Sequence, residues 1–268
     1  MDIKENFHTH TYRCKHATGD VADYVQAAVD KGLDLIGISD HTALPDNRWE
    51  YIRMAFDELD GYINAIDSAI LDFPQIKVLK SLECEYADEY QSFYRDTLLG
   101  DKNFDYLIGA AHFVPYDNDW QSSHKLEAKH ILAYGEYFVK SMESGLFAFM
   151  AHPDVFGYNY PYWDDNCISC AKDIFAAAET LKVPLEINGL GLRKDKVETP
   201  DGLRPPYPLV PFWEIAQDYS IEVICNSDAH RPIDIIANIN DAKDIATKNN
   251  LKYTDTSVLI NQKYLSKY

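Results

Sequence analysis

Short apolar-rich runs alternate with amphipathic stretches along the whole chain. Ile3–Phe7, Leu33–Ile38, Ile76–Leu82, Tyr106–Ala111, Leu146–Ala151, Val183–Ile187 and Ile221–Cys225 read as strands buried on both faces. Between the first two, Val21, Tyr24, Val25, Ala28 and Val29 recur at helical spacing, opened by a capping Asp20 and closed by Gly32. The same pattern predicts helices over about 48–71, 91–99, 126–144, 168–181 and 233–248, and another through Tyr219 opened by Pro208 and Pro211. Seven strand–helix units in alternation describe a parallel sheet covered by helices. The Gly-, Pro- and charge-rich segment 188–211 has no period and is expected to be a loop at the sheet's rim.

Histidine decides between an open and a closed sheet. Seven of the nine histidines follow directly on predicted strands, in His8-Thr9-His10 with His16 behind, Ser39-Asp40-His41, Ala111-His112, Ala151-His152-Pro153 and Asn226-Ser227-Asp228-Ala229-His230. Leu82-Glu83-Cys84-Glu85 supplies carboxylates at the equivalent place. Imidazole and carboxylate are the usual ligands of borderline divalent metals, and two histidines two apart on an extended chain share a face. An open sheet cannot easily gather the ends of six strands, whereas a closed barrel rings them round one mouth. The expectation is one α/β domain over residues 1–268, a barrel with a multinuclear metal site at the C-terminal ends of its strands. Any one of these histidines alone would read as a core residue; seven in register do not. His124 and His130 fall outside the motifs and read as surface residues. Asp40 reads as a supporting group, and Asp20 and Asp154 as helix caps.

Composition narrows the partners. Net charge is −18, which excludes a phosphate-backbone grip and hence a nucleic-acid partner. No run of eighteen apolar residues exists, so no membrane span is expected. The N-terminus has no basic-then-apolar leader pattern and the five cysteines are odd in number, so a cytoplasmic protein with reduced thiols is expected. Cys167 and Cys170 have redox or zinc spacing, but with no second pair they read as helix-start residues.

The ordered set HTHTYRCKHATGD at 8–20, ISDHT at 38–42, LECEY at 82–86, IGAAHFV at 108–114, AHPDVF at 151–156, EINGLGLRK at 186–194 and NSDAH at 226–230 resembles the polymerase and histidinol phosphatase (PHP) superfamily of metal-dependent phosphoesterases. Within it the set is most similar to the histidinol-phosphate phosphatases. The resemblance implies a distorted (β/α)7 barrel, in agreement with the seven units, holding two or three divalent ions (Zn, Fe or Mn). It implies His8, His10, Glu83 and Asp228 as one ligand group, Glu83, His112 and His152 as a second, and His16, His41 and His230 as a third. Many relatives have Asp at the position of His16. Glu85 shares the face of Glu83, and family position favours Glu83 as the shared ligand.

The implied reaction is hydrolysis of a small phosphate monoester, L-histidinol phosphate, in histidine biosynthesis. Glu83 would bridge the ions and Asp228 would pass a proton to the leaving oxygen. Arg193 is the first expected phosphate contact, with Asn188 and Arg204 beside it; a surface salt bridge is the plain reading of Arg193. An acidic and aromatic mouth built from Phe113, Tyr116, Asp117, Asp119, Trp120, Tyr158, Tyr160, Tyr162 and Trp163 would suit the substrate's ammonium and imidazole. The stretch GYNYPYW at 157–163 departs from the resemblance. Three competing readings are a PHP-type phosphoesterase acting on a nucleotide or other small ester, an amidohydrolase, and a non-enzymatic metal module. The extra His16, His41 and His230 fit an amidohydrolase poorly.

Overall fold

A computed structural model describes residues 2–256; residues 1 and 257–268 of the expected domain lie outside the described residues. Parallel strands dominate. A three-stranded sheet pairs β1 (Glu5–Asn6), β2 (Leu35–Ile38) and β3 (Lys77–Lys80) in that order. A six-stranded sheet comprises β4 (Glu83–Glu85), β5 (Ile108–Ala110), β8 (Phe149–Met150), β9 (Leu185–Asn188), β12 (Glu222–Asn226) and β13 (Lys252–Tyr253), hydrogen-bonded in the order β13-β12-β9-β8-β5-β4. The predicted strand Ile76–Leu82 is observed as β3, and the residues just beyond it form β4. The chain leaves the first sheet after Lys80 and joins the second at Glu83, which places Glu83 at a bend. Hairpins β6–β7 (Phe113–Tyr116 and Asp119–Ser122) and β10–β11 (Val197–Thr199 and Gly202–Arg204) stand apart from both sheets.

Helices α1 (Val21–Asp30), α2 (Leu59–Asp72), α3 (Ala128–Glu143), α4 (Asp165–Leu181), α5 (Val210–Ala216) and α6 (Ile239–Lys248) follow the predicted stripes. Asp20 caps α1 in a reciprocal capping box with Asp23, and Asp164 caps α4 through the amide of Cys167. Phe93–Asp101 forms a wider π-helical segment where the third helix, 91–99, is predicted. The stripe over 48–71 begins late. Asn47 and Trp49 take left-handed backbone and Arg53 is extended, so residues before Leu59 form two short 3-10 turns, Glu50–Ile52 and Phe56–Glu58. Tertiary contacts explain the override: the Trp49 ring stacks on Phe113 at 4.2 Å and 5°, and Arg53 is fully buried.

Two apolar clusters form. The smaller contains Phe7, Leu35, Leu79, Tyr106, Ile108, Ala148, Phe149 and Ile224, all from strands or their immediate flanks. The larger lies between strands and helices and runs from Val21 to Leu251. Burying such area at roughly 25 cal/mol per Å² is the main stabilising term. Gly37 shows how tight the strand interior is. A Cβ there would lie 1.9 Å from the Tyr106 hydroxyl oxygen, which donates to the Phe7 carbonyl. Among the described residues no helix is long and apolar enough to cross a membrane.

Candidate metal centre

Three of the predicted ligand motifs leave strand ends whose polar neighbours lock them to another strand. Thr9, between His8 and His10, donates its hydroxyl to the Gly37 carbonyl at 2.8 Å and its amide to Ser39 Oγ at 3.0 Å. Facing away, it leaves the two histidines on the opposite face. Asp40 accepts from the Thr11 amide at 2.9 Å and the Thr11 hydroxyl at 2.8 Å, and His41 projects beyond it. Asn226 accepts from the Phe7 amide at 2.8 Å, Ser227 Oγ accepts from Asn6 Nδ2 at 2.7 Å, and Asp228 follows. The Ser-Asp and Asn-Ser pairs thus tie neighbouring strand ends together while the third residue reaches the centre. His152 and Asp228 take left-handed backbone, with φ of 29° and 49°. Such strain in non-glycine residues clusters at functional sites.

The centre is built around the two oxygens of Glu83. Oε2 lies 3.4 Å from both His8 Nε2 and His10 Nε2 and 3.0 Å from His41 Nδ1. Oε1 lies 2.9 Å from His152 Nε2 and 3.5 Å from His112 Nε2. Asp228 Oδ1 closes the first side, 3.2 Å from His10 Nε2 and 3.6 Å from His8 Nε2. The potential ligand atoms of His8, His10 and Asp228, of Glu83, His112 and His152, and of His16, His41 and His230 each lie within 4.8 Å of one another. All nine expected ligands therefore meet at one place. They line a cavity of about 400 Å³, except His8, which lies behind them.

The donor set fits divalent cations. Glu83 Oε2 and Asp228 Oδ1 are buried and accept no well-formed hydrogen bond, though each faces imidazole nitrogens. Buried unpaired oxygens cost several kcal/mol unless something fills the role, and a cation between them and the imidazoles does so. Cys14 also approaches His10 and His230. Burial, then Asp40, pushes its thiol pKa up, and a protonated thiol is a poor ligand.

A second layer orients the ligands, and the sequence patterns did not single out most of it. Glu186, fully buried, places Oε1 2.9 Å from His8 Nδ1 and accepts from Asn226 Nδ2 at 2.9 Å. Its Oε2 accepts from Asn188 Nδ2 at 2.7 Å and the His152 amide at 3.2 Å. Glu85 belongs to none of the candidate ligand groups among the described residues. Its Oε1 lies 2.8 Å from His112 Nδ1, and its Oε2 forms an ion pair with Arg53 at 3.0 Å. Glu85 stands two residues after Glu83, and Glu186 two before Asn188 at the end of β9, but only the tertiary contact reveals the role of each. Carboxylate–histidine pairs of this kind fix the ring and raise its basicity. Glu85→Gln and Arg53→Met are each expected to weaken metal binding about 10- to 100-fold, measured by competition with a chromogenic chelator. Unchanged affinity in both would remove Glu85 and Arg53 from this role.

Protonation follows from the same contacts. Burial pulls the His8 pKa down, but Asp228, Glu186 and Glu83 outweigh it and hold it well above the ordinary value. His112 is raised in the same way against burial by Glu83 and Glu85. Burial and then His10 lower His41, His230 and His16, the last to about 4. Burial would raise Glu83, yet His112, His8 and His41 hold it far down. In the metal-free protein at pH 7, His8 therefore carries a proton that a metal must displace, and His112 holds its proton to higher pH than an ordinary imidazole. His16, His41 and His230 are neutral there and release none. Adding zinc to weakly buffered protein at pH 7 is expected to release protons, detected with an indicator dye. The release should fade as pH rises through the raised pKa values of His8 and His112; constant release from pH 7 to 9 would contradict the assignment.

The expected substrate contacts land differently. Asn188 is buried beside the centre, with Nδ2 also 3.1 Å from Asp228 Oδ2. Arg193 does not line the cavity. Its terminal nitrogens donate to the carbonyls of Ala237 at 3.0 Å and Ser227 at 2.7 Å, so the guanidinium braces the loop carrying Asp228. Nor is it the surface salt bridge of the plain reading. Arg204 donates to the carbonyls of Pro205, Pro206 and Tyr160 and lines a separate cavity. The cavity's cations are instead Lys15, Lys125 and Lys194; His124 also lines it, with its pKa lowered by burial and then by His112 to about 4, so its ring is neutral near pH 7. The acidic mouth is absent as well: Asp117 and Asp119 sit on the β6–β7 hairpin and are not part of the lining, whose aromatic members are Tyr51, Phe113 and Tyr207. His130 is buried and accepts from the Glu127 amide at 2.9 Å, and is not a surface residue. Asp154 does not cap a helix. It accepts from the Leu209 amide at 2.6 Å and Trp213 Nε1 at 3.0 Å. All five cysteines are unpaired and buried.

Fold and site together define a metal-dependent hydrolase built on parallel β/α units. The PHP domain matches residues 6–189, and the chain belongs to the PHP family. It is 30% identical over 238 residues to a protein of Deinococcus radiodurans named a probable histidinol-phosphatase, covering 84% of this chain and 85% of that one. A Schizosaccharomyces pombe protein with the same name is 23% identical over 285 residues, with 92% and 87% covered. The structure of the Lactococcus lactis histidinol phosphate phosphatase, complexed with zinc, L-histidinol and phosphate, superposes with a TM-score of 0.69 at 15% identity, covering 93% of this chain and 95% of that one. At that identity the likeness is one of fold.

Proposed function

We propose that this protein is a metal-dependent phosphomonoesterase that hydrolyses L-histidinol phosphate to L-histidinol and inorganic phosphate. One observation carries the reading: a single buried carboxylate, Glu83, offers one oxygen to His8, His10 and His41 and the other to His112 and His152, inside a cavity large enough for a small ester. Two or three divalent ions, zinc among the candidates, would be held by His8, His10, Glu83 and Asp228, by Glu83, His112 and His152, and by His16, His41 and His230. Bound there, such ions neutralise phosphoryl charge and make water a nucleophile at neutral pH. The chain's own residues supply the rest. Glu186 and Glu85 orient His8 and His112. Asp228, kept ionised by His8 and His230 against burial, is placed to accept a proton at Oδ1 and pass it to the leaving oxygen. Tyr51, Phe113 and Tyr207 give the substrate's imidazole flat apolar walls.

The strand arrangement supports a distorted seven-unit barrel. Beyond the two sheets, isolated parallel bridges join Thr9 to Ala229 and His41 to Glu83, at the two seams between them. The continuous core from Val21 to Leu251 supports one domain, and five unpaired thiols fit the reducing cytoplasm. The test is phosphate release from L-histidinol phosphate beside p-nitrophenyl phosphate, a nucleoside monophosphate and an amide and lactone panel. Preference for histidinol phosphate, abolished by chelation, is expected. Turnover of other esters but not this one would discard the substrate and keep the chemistry.

A further inference from the structure

Charge at the mouth of the cavity is opposite in sign to that of the protein. The chain carries −18. Yet apart from Glu83 and Asp228, which face the metal centre, the lining's ionic side chains are Lys15, Lys125 and Lys194. Lys15 donates to the Glu50 carbonyl and so ties down the segment that carries Tyr51 and Ile52. Among the described residues neither Lys125 nor Lys194 has such a partner. The described lysines engaged in ion pairs are Lys80, Lys102, Lys129, Lys140 and Lys252, none of which lines this cavity. Lys194 Nζ sits 5.9 Å from the centre of the Tyr158 ring. Tyr158 stacks on His124 at 4.0 Å and 14°, and Lys125 follows His124 in the chain. Tyr207 continues inward, 6.4 Å from Tyr158 and 5.8 Å from His152. Two ammonium groups and an imidazole thus share the lining of one cavity, and a line of rings runs from His124 through Tyr158 and Tyr207 to His152 at the metal centre.

Cations kept in the mouth of an acidic protein attract anions. We propose that Lys125 and Lys194, with His124, form a second anion subsite at the rim. The enzyme then also hydrolyses phosphate monoesters whose non-reacting end carries a carboxylate or a second phosphate. The proposal rests on the reading of the centre as a phosphomonoesterase site. The reaction is unchanged: water adds to phosphorus, the ester P–O bond breaks, the alcohol leaves with a proton, and the distal anion is not altered.

The test compares kcat/KM within pairs of esters that differ in the distal anion: O-phosphoserine against O-phosphoethanolamine, 3-phosphoglycerate against glycerol 1-phosphate, and butane-1,4-diol bisphosphate against its monophosphate. The metal-replete enzyme is expected to favour the anionic member by about tenfold or more, the size of one charge-assisted hydrogen bond. Lys125→Met with Lys194→Met should bring the ratio close to one, and Lys194→Glu should invert it towards O-phosphoethanolamine. The ratio is taken within one preparation, so it does not depend on how much of a variant is folded. Comparing the first two pairs with the third tells which anion is preferred. A ratio of one in the unaltered enzyme, or equal losses for both members of each pair in the double variant, overturns the subsite and leaves the phosphatase reading intact. No phosphate release from any ester overturns both.

Discussion

Glu83→Gln is expected to lower kcat/KM by about 10³-fold or more, since the charge stabilisation a metal pair supplies amounts to several kcal/mol. The substitution keeps the shape of the side chain and removes its charge. It also places an amide N–H where His8, His10 and His41, or His112 and His152, now face an oxygen. One side of the centre loses its oxygen and the other keeps only a neutral one, so the effect should exceed that of any single histidine. Metal content should fall in the same variant. Metal-dependent protection against thermal unfolding should shrink with it, because a metal stabilises the fold only as far as it binds the native state. A Glu83→Gln protein that retains metal and activity within tenfold of the parent would show that the two sides of the centre do not depend on the shared carboxylate.

The second large effect is expected at Asp228. One oxygen faces His8 and His10, and the other accepts from Asn188 Nδ2. Asp228→Asn should slow hydrolysis of an alkyl ester by about 10²- to 10⁴-fold, the usual range for a positioned proton-transfer group. The loss for p-nitrophenyl phosphate should be smaller, because p-nitrophenolate leaves without needing a proton. Equal losses for the two esters, with reduced metal content, would leave Asp228 as a metal ligand alone.

The motifs foretold the centre because ligand chemistry is local. A histidine that follows a strand ends up at the strand's C-terminal rim whatever the rest of the fold does, and the Ser-Asp and Asn-Ser pairs before His41 and Asp228 carry their own locking hydrogen bonds. The alternation of strands and helices was legible for the same reason, since burial on both faces leaves an apolar run. The helix over 48–71 was misjudged at its start because the competing interactions are distant in sequence: Trp49 against Phe113, and Arg53 against Glu85. The expected phosphate arginines failed likewise. Chain position puts Arg193 and Arg204 near the rim, but neighbouring carbonyls satisfy both guanidiniums before any ligand could.

The sequence by itself determined the strand-and-helix alternation and the order of the nine candidate ligand residues at the strand ends, because each depends on a residue's nearest neighbours along the chain. Only the tertiary structure decided that Glu83 faces both groups of imidazoles while Glu85 meets His112 and Arg53, that Glu186 stands behind His8, and that lysines rather than the expected arginines and acids line the cavity. Those outcomes depend on which side chains from separate units come within a few ångströms of each other, and on which polar groups a backbone carbonyl has already taken.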